Sequence, residues 1–171
     1  MPEYNFSQAK GIKKENDFFT FSEGDNKIRI LSVPSMLEDH YLTSEKKSVP
    51  CPGDGCINHE VPLRVKWLCY IFDYKANKIK IIRFPRVIIE MIGAIQTNPE
   101  YAFSLLPMPF DINIVAENAG TIDVKYTVIP ARANSEISPK ILSELEEKIP
   151  IDEIVSSMVK KATKESKDDF D

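Results

Sequence analysis

Four side chains that bind soft metals fall within one short stretch: His40, Cys51, Cys56 and His59, spaced His-x10-Cys-x4-Cys-x2-His. They are both of the chain's histidines and two of its three cysteines. Thiolate and imidazole donors suit a tetrahedral Zn2+, and the short spacings let turns present two ligands together. Pro52, Gly53 and Gly55 allow the tight wrapping that such a loop needs. With all four ligands supplied by protein, the metal would be structural, leaving no position for a catalytic water. Two other readings fit the same residues: a solvated loop whose cysteines are merely close, and a redox disulfide. Cys69 differs, since it lies mid-strand between Trp67 and Ile71 and reads as core.

A second group of residues is suited to a polyanion. Residues 64–86 hold seven cations (Arg64, Lys66, Lys75, Lys78, Lys80, Arg83, Arg86) against one acid, Asp73. In a strand, side chains alternate between faces. Val65, Trp67, Cys69 and Ile71 then share one face, and Arg64, Lys66, Leu68, Tyr70 and Phe72 the other. In the returning strand Lys78, Lys80 and Ile82 oppose Ile79 and Ile81. One face of this hairpin is thus expected to be apolar, and the other to interleave cations with rings. Cations neutralise phosphates, and rings stack on unpaired bases at about 1–3 kcal/mol each. The candidate binding set is Arg29, Arg64, Lys66, Trp67, Tyr70, Phe72, Lys78, Lys80 and Arg83, with Trp67 equally placed for the core.

The net charge of −4 argues against a polyanion binder until its distribution is considered. Residues 136–171 hold ten acids and six lysines, which carries the whole excess, and the preceding residues balance. No catalytic Ser/His/Asp or Cys/His set has a histidine to spare, and no glycine-rich phosphate loop is present. The chain therefore reads as a binder and not an enzyme. Residues 1–14 lack the apolar core of a secretory signal, and no apolar run reaches the ~20 residues of a membrane span. A reducing cytoplasm is the expected compartment, where paired cysteines favour metal over disulfide.

The elements that must position these groups follow from periodicity. Residues 27–33 (KIRILSV) read as a strand, and 34–62 as an irregular excursion around the cysteines. Residues 62–74 and 78–84 form a hairpin turning at Ala76-Asn77, and 87–95 is a helix after Pro85. Residues 110–116 and 121–129 form a second hairpin. Ser138-Pro139 opens a helix to about 148, and Pro150-Ile151-Asp152 opens another to about 163. Five strands with one helix between the third and fourth is the order of an OB barrel. The expected layout is a flexible arm at 1–16, an OB domain at 17–135 with a zinc loop near 40–60, helices at 136–163, and an acidic tail at 164–171. The apolar stripes of the last helices (Ile141, Leu142, Leu145, Ile149; Ile154, Val155, Met158, Val159) either cap the barrel or dock a partner.

Read together, GDNKIRILSVP (24–34), the His/Cys loop, VKWLCYIFDYKANKIKIIRFP (65–85) and FDINIVAENAGTIDVKYTVIPAR (110–132) resemble the single-stranded-DNA-binding proteins of tailed bacteriophages, the group around the gene-32 helix-destabilising protein. The resemblance covers roughly residues 18–132. It implies an OB fold interrupted by a zinc segment, binding to single strands with little sequence preference, and action in replication, recombination and repair in the host cytoplasm. It also implies an acidic C-terminus that recruits replication and recombination proteins, here Asp168, Asp169, Phe170 and Asp171. The family's metal segment often uses one His and three Cys, whereas His59 stands at the last position here. The competing expectation is a zinc-stabilised protein–protein module of a replication or virion complex, docking through the C-terminal helices.

Overall fold

The computed structural model describes residues 18–53 and 56–168, with side chains in the last helix described as far as 163. The chain is mainly β, with seven strands in one antiparallel sheet and three helices. The strands are β1 (Gly24–Ile30), β2 (Ser35–Leu42), β3 (Lys47–Pro50), β4 (Leu63–Asp73), β5 (Lys78–Pro85), β6 (Ile112–Glu117) and β7 (Lys125–Pro130). The helices are α1 (Arg86–Thr97), α2 (Pro139–Glu146) and α3 (Ile151–Asp168). The expected arm at 1–16 lies outside the described residues.

The organising strand is β4. One of its edges pairs with β5 from Lys66 to Asp73, and the other is shared by β2 and β1. Ile30 pairs with Ile71 and Ser35 with Leu68, so five steps along one chain match three along the other. β1 and β2 thus form one bent strand interrupted by a bulge, a device that turns a strand without ending its pairing. Leu31 N–H donates to the Tyr70 carbonyl, and Tyr70 N–H to Ser32 Oγ, which satisfies the backbone at the bend. The excursion expected at 34–62 is therefore partly regular: it carries β2 and β3. Ser35, Glu38 and Asp39 give β2 poor strand propensity, and its pairing with β4 overrides that preference.

The sheet order is β3-β2-β4-β1-β6-β7, with β5 on the far edge of β4. Among the described residues β5 and β7 do not pair, so the five-stranded closed barrel expected from the element order is not what is observed. The open seam is filled in another way. Phe19 N–H donates to the Ile81 carbonyl at 2.8 Å on the β5 edge, while Phe21 packs on Tyr126 of β7 with ring centroids 4.9 Å apart. Helix α1 buries Ile88 and Ile92, and packs against β4, β5 and β7. Buried Asn26 fastens the entering segment, donating to the Ser22 and Ile114 carbonyls and accepting from Ser22 N–H.

Two apolar cores lie on opposite sides of β4. Inside the curved sheet are Ile28, Ile30, Cys69, Ile71, Ile82, Phe84, Ile112 and Ile114, closed by Ile88 and Ile92. On the outer face Leu31, Leu37, Leu68, Tyr70, Phe72, Ile79 and Ile81 are covered by Ile137, Ile141, Leu145, Ile151, Ile154, Val155, Met158 and Val159. The stripes of α2 and α3 thus cap the sheet. Leu142 and Ile149 are left exposed.

Candidate functional site

The metal-ligating group sits where β2 meets the loop after β3. His40 is on the side of β2 turned away from the outer core, next to Asp39 and Tyr41, which alternate onto the outer face. Cys51 directly follows β3 and donates its backbone N–H to the Glu38 carbonyl, prolonging the β2–β3 pairing. Gly53 adopts φ +88°, a left-handed conformation that a side chain would strain. Its carbonyl receives the Cys56 N–H, which folds the loop back. The ligand atoms of His40, Cys51 and Cys56 all lie within 4.8 Å of one another. Ligand atoms around tetrahedral zinc stand roughly 3.3–3.8 Å apart, given its bond lengths. His40 Nε2 is already 3.5 Å from Cys56 Sγ.

The surroundings fit a metal as well as the distances do. His40 is 3 % exposed, and its Nδ1 lies 3.0 Å from the Val61 carbonyl. A proton on Nδ1 donates to that carbonyl and leaves the Nε2 lone pair facing the thiols, the orientation that a ligating histidine needs. Asn58 N–H donates to Cys56 Sγ from 3.4 Å, which orients the sulfur. Burial holds the Cys51 thiol above its ordinary range; a hydrogen bond from the Gly53 backbone opposes this, and neighbouring Cys56 adds to it. The cysteines are free, with no disulfide between Cys51 and Cys56.

His59 does not join this group. The turn after Cys56 carries its ring outward, exposed, with Nδ1 3.3 Å from the Cys56 carbonyl. Three of the four expected ligands come together, and the chain's own geometry leaves His59 as a surface residue.

The polyanion face is divided. The loop between β4 and β5 has four residues, so Lys78 pairs with Asp73 and Lys80 with Ile71. Odd-numbered residues of β5 therefore stand beside even-numbered residues of β4. Lys78 and Lys80 fall on the interior side, not beside Tyr70 and Phe72 as expected. Lys80 is bound to Asp73 at 3.0 Å, while Lys78 is exposed at the rim. Tyr70 and Phe72 are 6 % and 7 % exposed beneath α2 and α3, and the Tyr70 hydroxyl donates to the Ile149 carbonyl at 2.6 Å. Trp67 is half-buried against the inner core. Arg29, expected at the edge of the patch, is 1 % exposed; it donates to Asp111 at 2.7 Å and to the carbonyl and hydroxyl of Ser135. It locks the segment that leads to α2, and is not a surface cation.

What remains is compact. Arg64, Lys66 and Arg83 share the outer face, with Arg83 paired in register to Leu68. Arg64 lies over the Tyr41 ring at 5.0 Å and Arg83 over the Phe18 ring at 4.5 Å, both to the centroid. Arg64 Nη2 donates to Ser48 Oγ at 3.0 Å, and its Nε stands 3.5 Å from Asp39 Oδ1. Those two buried atoms have no hydrogen-bond partner. Burial, and next the charge of Arg64, hold Lys66 below the ordinary lysine range; Asp39 opposes this and Arg83 adds to it. Burial likewise lowers Arg83.

No protein-family model matches this chain, and no curated protein matches it. Tyr41 and Phe18 were not among the sequence candidates. The signal for Tyr41 was its alternation with Leu37 and Asp39, hidden because 34–62 reads as loop. Phe18 is placed beside Arg83 only by the parallel bridge to Ile81. The tail candidates Asp168, Asp169, Phe170 and Asp171 lie outside the described side chains. Among the described residues no helix is long and apolar enough to cross a membrane.

Proposed function

We propose that the protein binds single-stranded DNA without strong sequence preference, through Arg64, Lys66 and Arg83 with the rings of Tyr41 and Phe18, and that it acts as a binder and not a catalyst. One observation carries this reading: three cations crowd one half-buried patch of sheet with a single buried acid, Asp39, to offset them. Burial, and next the charge of Arg64, lower the proton affinity of Lys66, and a phosphate held against the three cations favours its charged form. Rings beside the cations supply surfaces on which unpaired bases stack. The order of pairing supports an OB-type ancestry. β1 lies between β4 and β6, two hairpins flank α1, and the β5–β7 seam is plugged and not hydrogen-bonded. The resemblance to phage single-strand binders points the same way, and places the activity in replication, recombination and repair, with the acidic tail as the contact for partner proteins.

In this reading the metal is a structural Zn2+. Two thiols and an imidazole form a soft, nitrogen–sulfur donor set that suits zinc over calcium or magnesium. His40, Cys51 and Cys56 would hold it, and it would fasten the end of β3 to β2. The competing role, a docking module built on the C-terminal helices, is less well supported because those helices lie against the sheet.

The test is anisotropy of a labelled oligo-dT at several salt concentrations. Three phosphate contacts predict log K falling against log salt with a slope of about −2. Replacing Arg64, Lys66 and Arg83 together with Gln should weaken binding at low salt by about thirtyfold, or about 2 kcal/mol, with the melting temperature nearly unchanged. Full affinity in that variant would remove the site from this face.

A further inference from the structure

We propose that Arg64 is the positioning residue through which the metal site governs affinity for single-stranded DNA. The proposal rests on the reading that Arg64, Lys66 and Arg83 meet phosphate, and adds how one of them is regulated.

The alternation of β2 links the two sites. Asp39, His40 and Tyr41 are consecutive, so the ligand His40 points to one side while its two neighbours point to the other. Among the described residues, the hydrogen bond, the ion pair and the ring contact of Arg64 are all to this hairpin: Asp39 and Tyr41 on β2, and Ser48 on β3. β3 is a four-residue strand paired on one edge only, and none of its residues is buried. α3 lies against β2 and β3, and the end of β3 is held further by Cys51, whose backbone bonds to Glu38 and whose thiol stands with His40 and Cys56. Lys66 and Arg83 stand differently. Both lie where β4 and β5 pair, Lys66 opposite Pro85 and Arg83 opposite Leu68, whereas Arg64 lies on β4 beyond the end of β5, paired only to Asp39 of the hairpin. Loosening the β2–β3 end therefore frees Arg64 to swing away and leaves the other two cations in place.

Arg64 is also the cation whose hold is easiest to change. Its Nε and Asp39 Oδ1 face each other across 3.5 Å without a hydrogen bond, so its fork is set by Ser48 and by the Tyr41 ring. Both are weak contacts that depend on where the hairpin lies. A guanidinium presented as an ordered fork binds phosphate better than the same charge on a free stem, because less freedom is lost on contact.

The experiment is a non-additivity test on the full chain, loaded with zinc or stripped by a chelator, with oligo-dT binding read by anisotropy. Stripping should weaken binding by about fivefold and make the salt slope shallower by nearly one phosphate contact. Arg64→Ala should do the same in the loaded protein, and stripping should then cost Arg64→Ala nothing more. Lys66→Ala and Arg83→Ala should still lose affinity on stripping. Ser48→Ala, which keeps every metal ligand and both rings, should reproduce part of the Arg64 loss in loaded protein and add little to Arg64→Ala; this arm decides the matter if the stripped chain unfolds. Additive losses for stripping and Arg64→Ala, or full affinity in Ser48→Ala, overturn the proposal. If Lys66→Ala and Arg83→Ala leave affinity untouched, the DNA-binding reading itself is wrong and the proposal falls with it.

Discussion

Leu68, Tyr70 and Phe72 lie on the same face of β4 as Arg64 and Lys66, yet α2 and α3 cover the first three and leave the other two half-buried. One alternation thus serves two purposes along a single strand. At the covered end rings meet aliphatic side chains, and the outer face becomes a second core. At the open end the side chains are cations, and the neighbouring elements bring rings to them. Alternation reports which side a residue faces; what covers that side is decided by distant segments.

Magnitudes argue that the cover stays in place. Eight apolar side chains of the C-terminal segment pack on this face, and at about 1 kcal/mol for each half-buried group they contribute about 8 kcal/mol. Two bases stacked on Tyr70 and Phe72 would return about 2–6 kcal/mol. Stacking does not offset the loss. Tyr70→Ala should therefore cost about 4 kcal/mol of stability in urea unfolding, while oligo-dT affinity of the folded fraction holds within about twofold. The opposite pattern, normal stability with lost affinity, would mean that the helices lift and the two ends form one continuous DNA surface.

The metal sharpens the comparison from the other end. With free zinc a hundredfold above its dissociation constant, binding to the folded state alone contributes about 2.7 kcal/mol. Cys51→Ser should lose most of that. Hydrogen exchange should place the loosening in β2 and β3, with β4–β5 amides under α2 and α3 unchanged. Equal loosening of both ends would make the metal a global staple and not a local one.

Much of this architecture is written in the chain, and the gaps have identifiable causes. β4 and β5 are legible because Val, Ile, Tyr, Phe and Trp recur in period two, and α1 because Ile88 and Ile92 recur at helical spacing after Pro85. β2 is hidden by Glu38 and Asp39, since burial of Asp39 becomes tolerable only when β4 brings Arg64 alongside. The placing of Lys78 and Lys80 beside Tyr70 fails on loop parity, because four residues between Asp73 and Lys78 put odd beside even. Arg29 reads as a surface cation because its partners, Asp111 and Ser135, are more than eighty residues away. The His/Cys group is legible as a group, and His59 is misplaced because a turn, not spacing, sets its direction.

The covered end also differs from the open end in the charge state it prefers, which gives the smallest of these effects. Tyr74 closes β4, packs edge-on against Phe72 at 4.9 Å, and donates its hydroxyl to Asp111. Burial, and then the Asp111 hydrogen bond and charge, push its pKa up to about 12, against about 10 for a free tyrosine. Between those values the unfolded chain has given up the proton while the folded chain keeps it, so raising the pH favours unfolding. The contribution is intact below about pH 10 and gone above about pH 12. Lysines titrate in the same window, but they are common to the wild type and to Tyr74→Phe, so the difference between the two isolates the phenol. Tyr74→Phe should flatten the fall in unfolding free energy between about pH 10 and pH 12. The effect is modest because the ring is 38 % exposed and water screens it. Parallel curves for the two proteins would mean that the Tyr74–Asp111 bond does not hold in solution. The tie between β4 and β6 beside buried Arg29 would then rest on the Arg29–Asp111 ion pair alone.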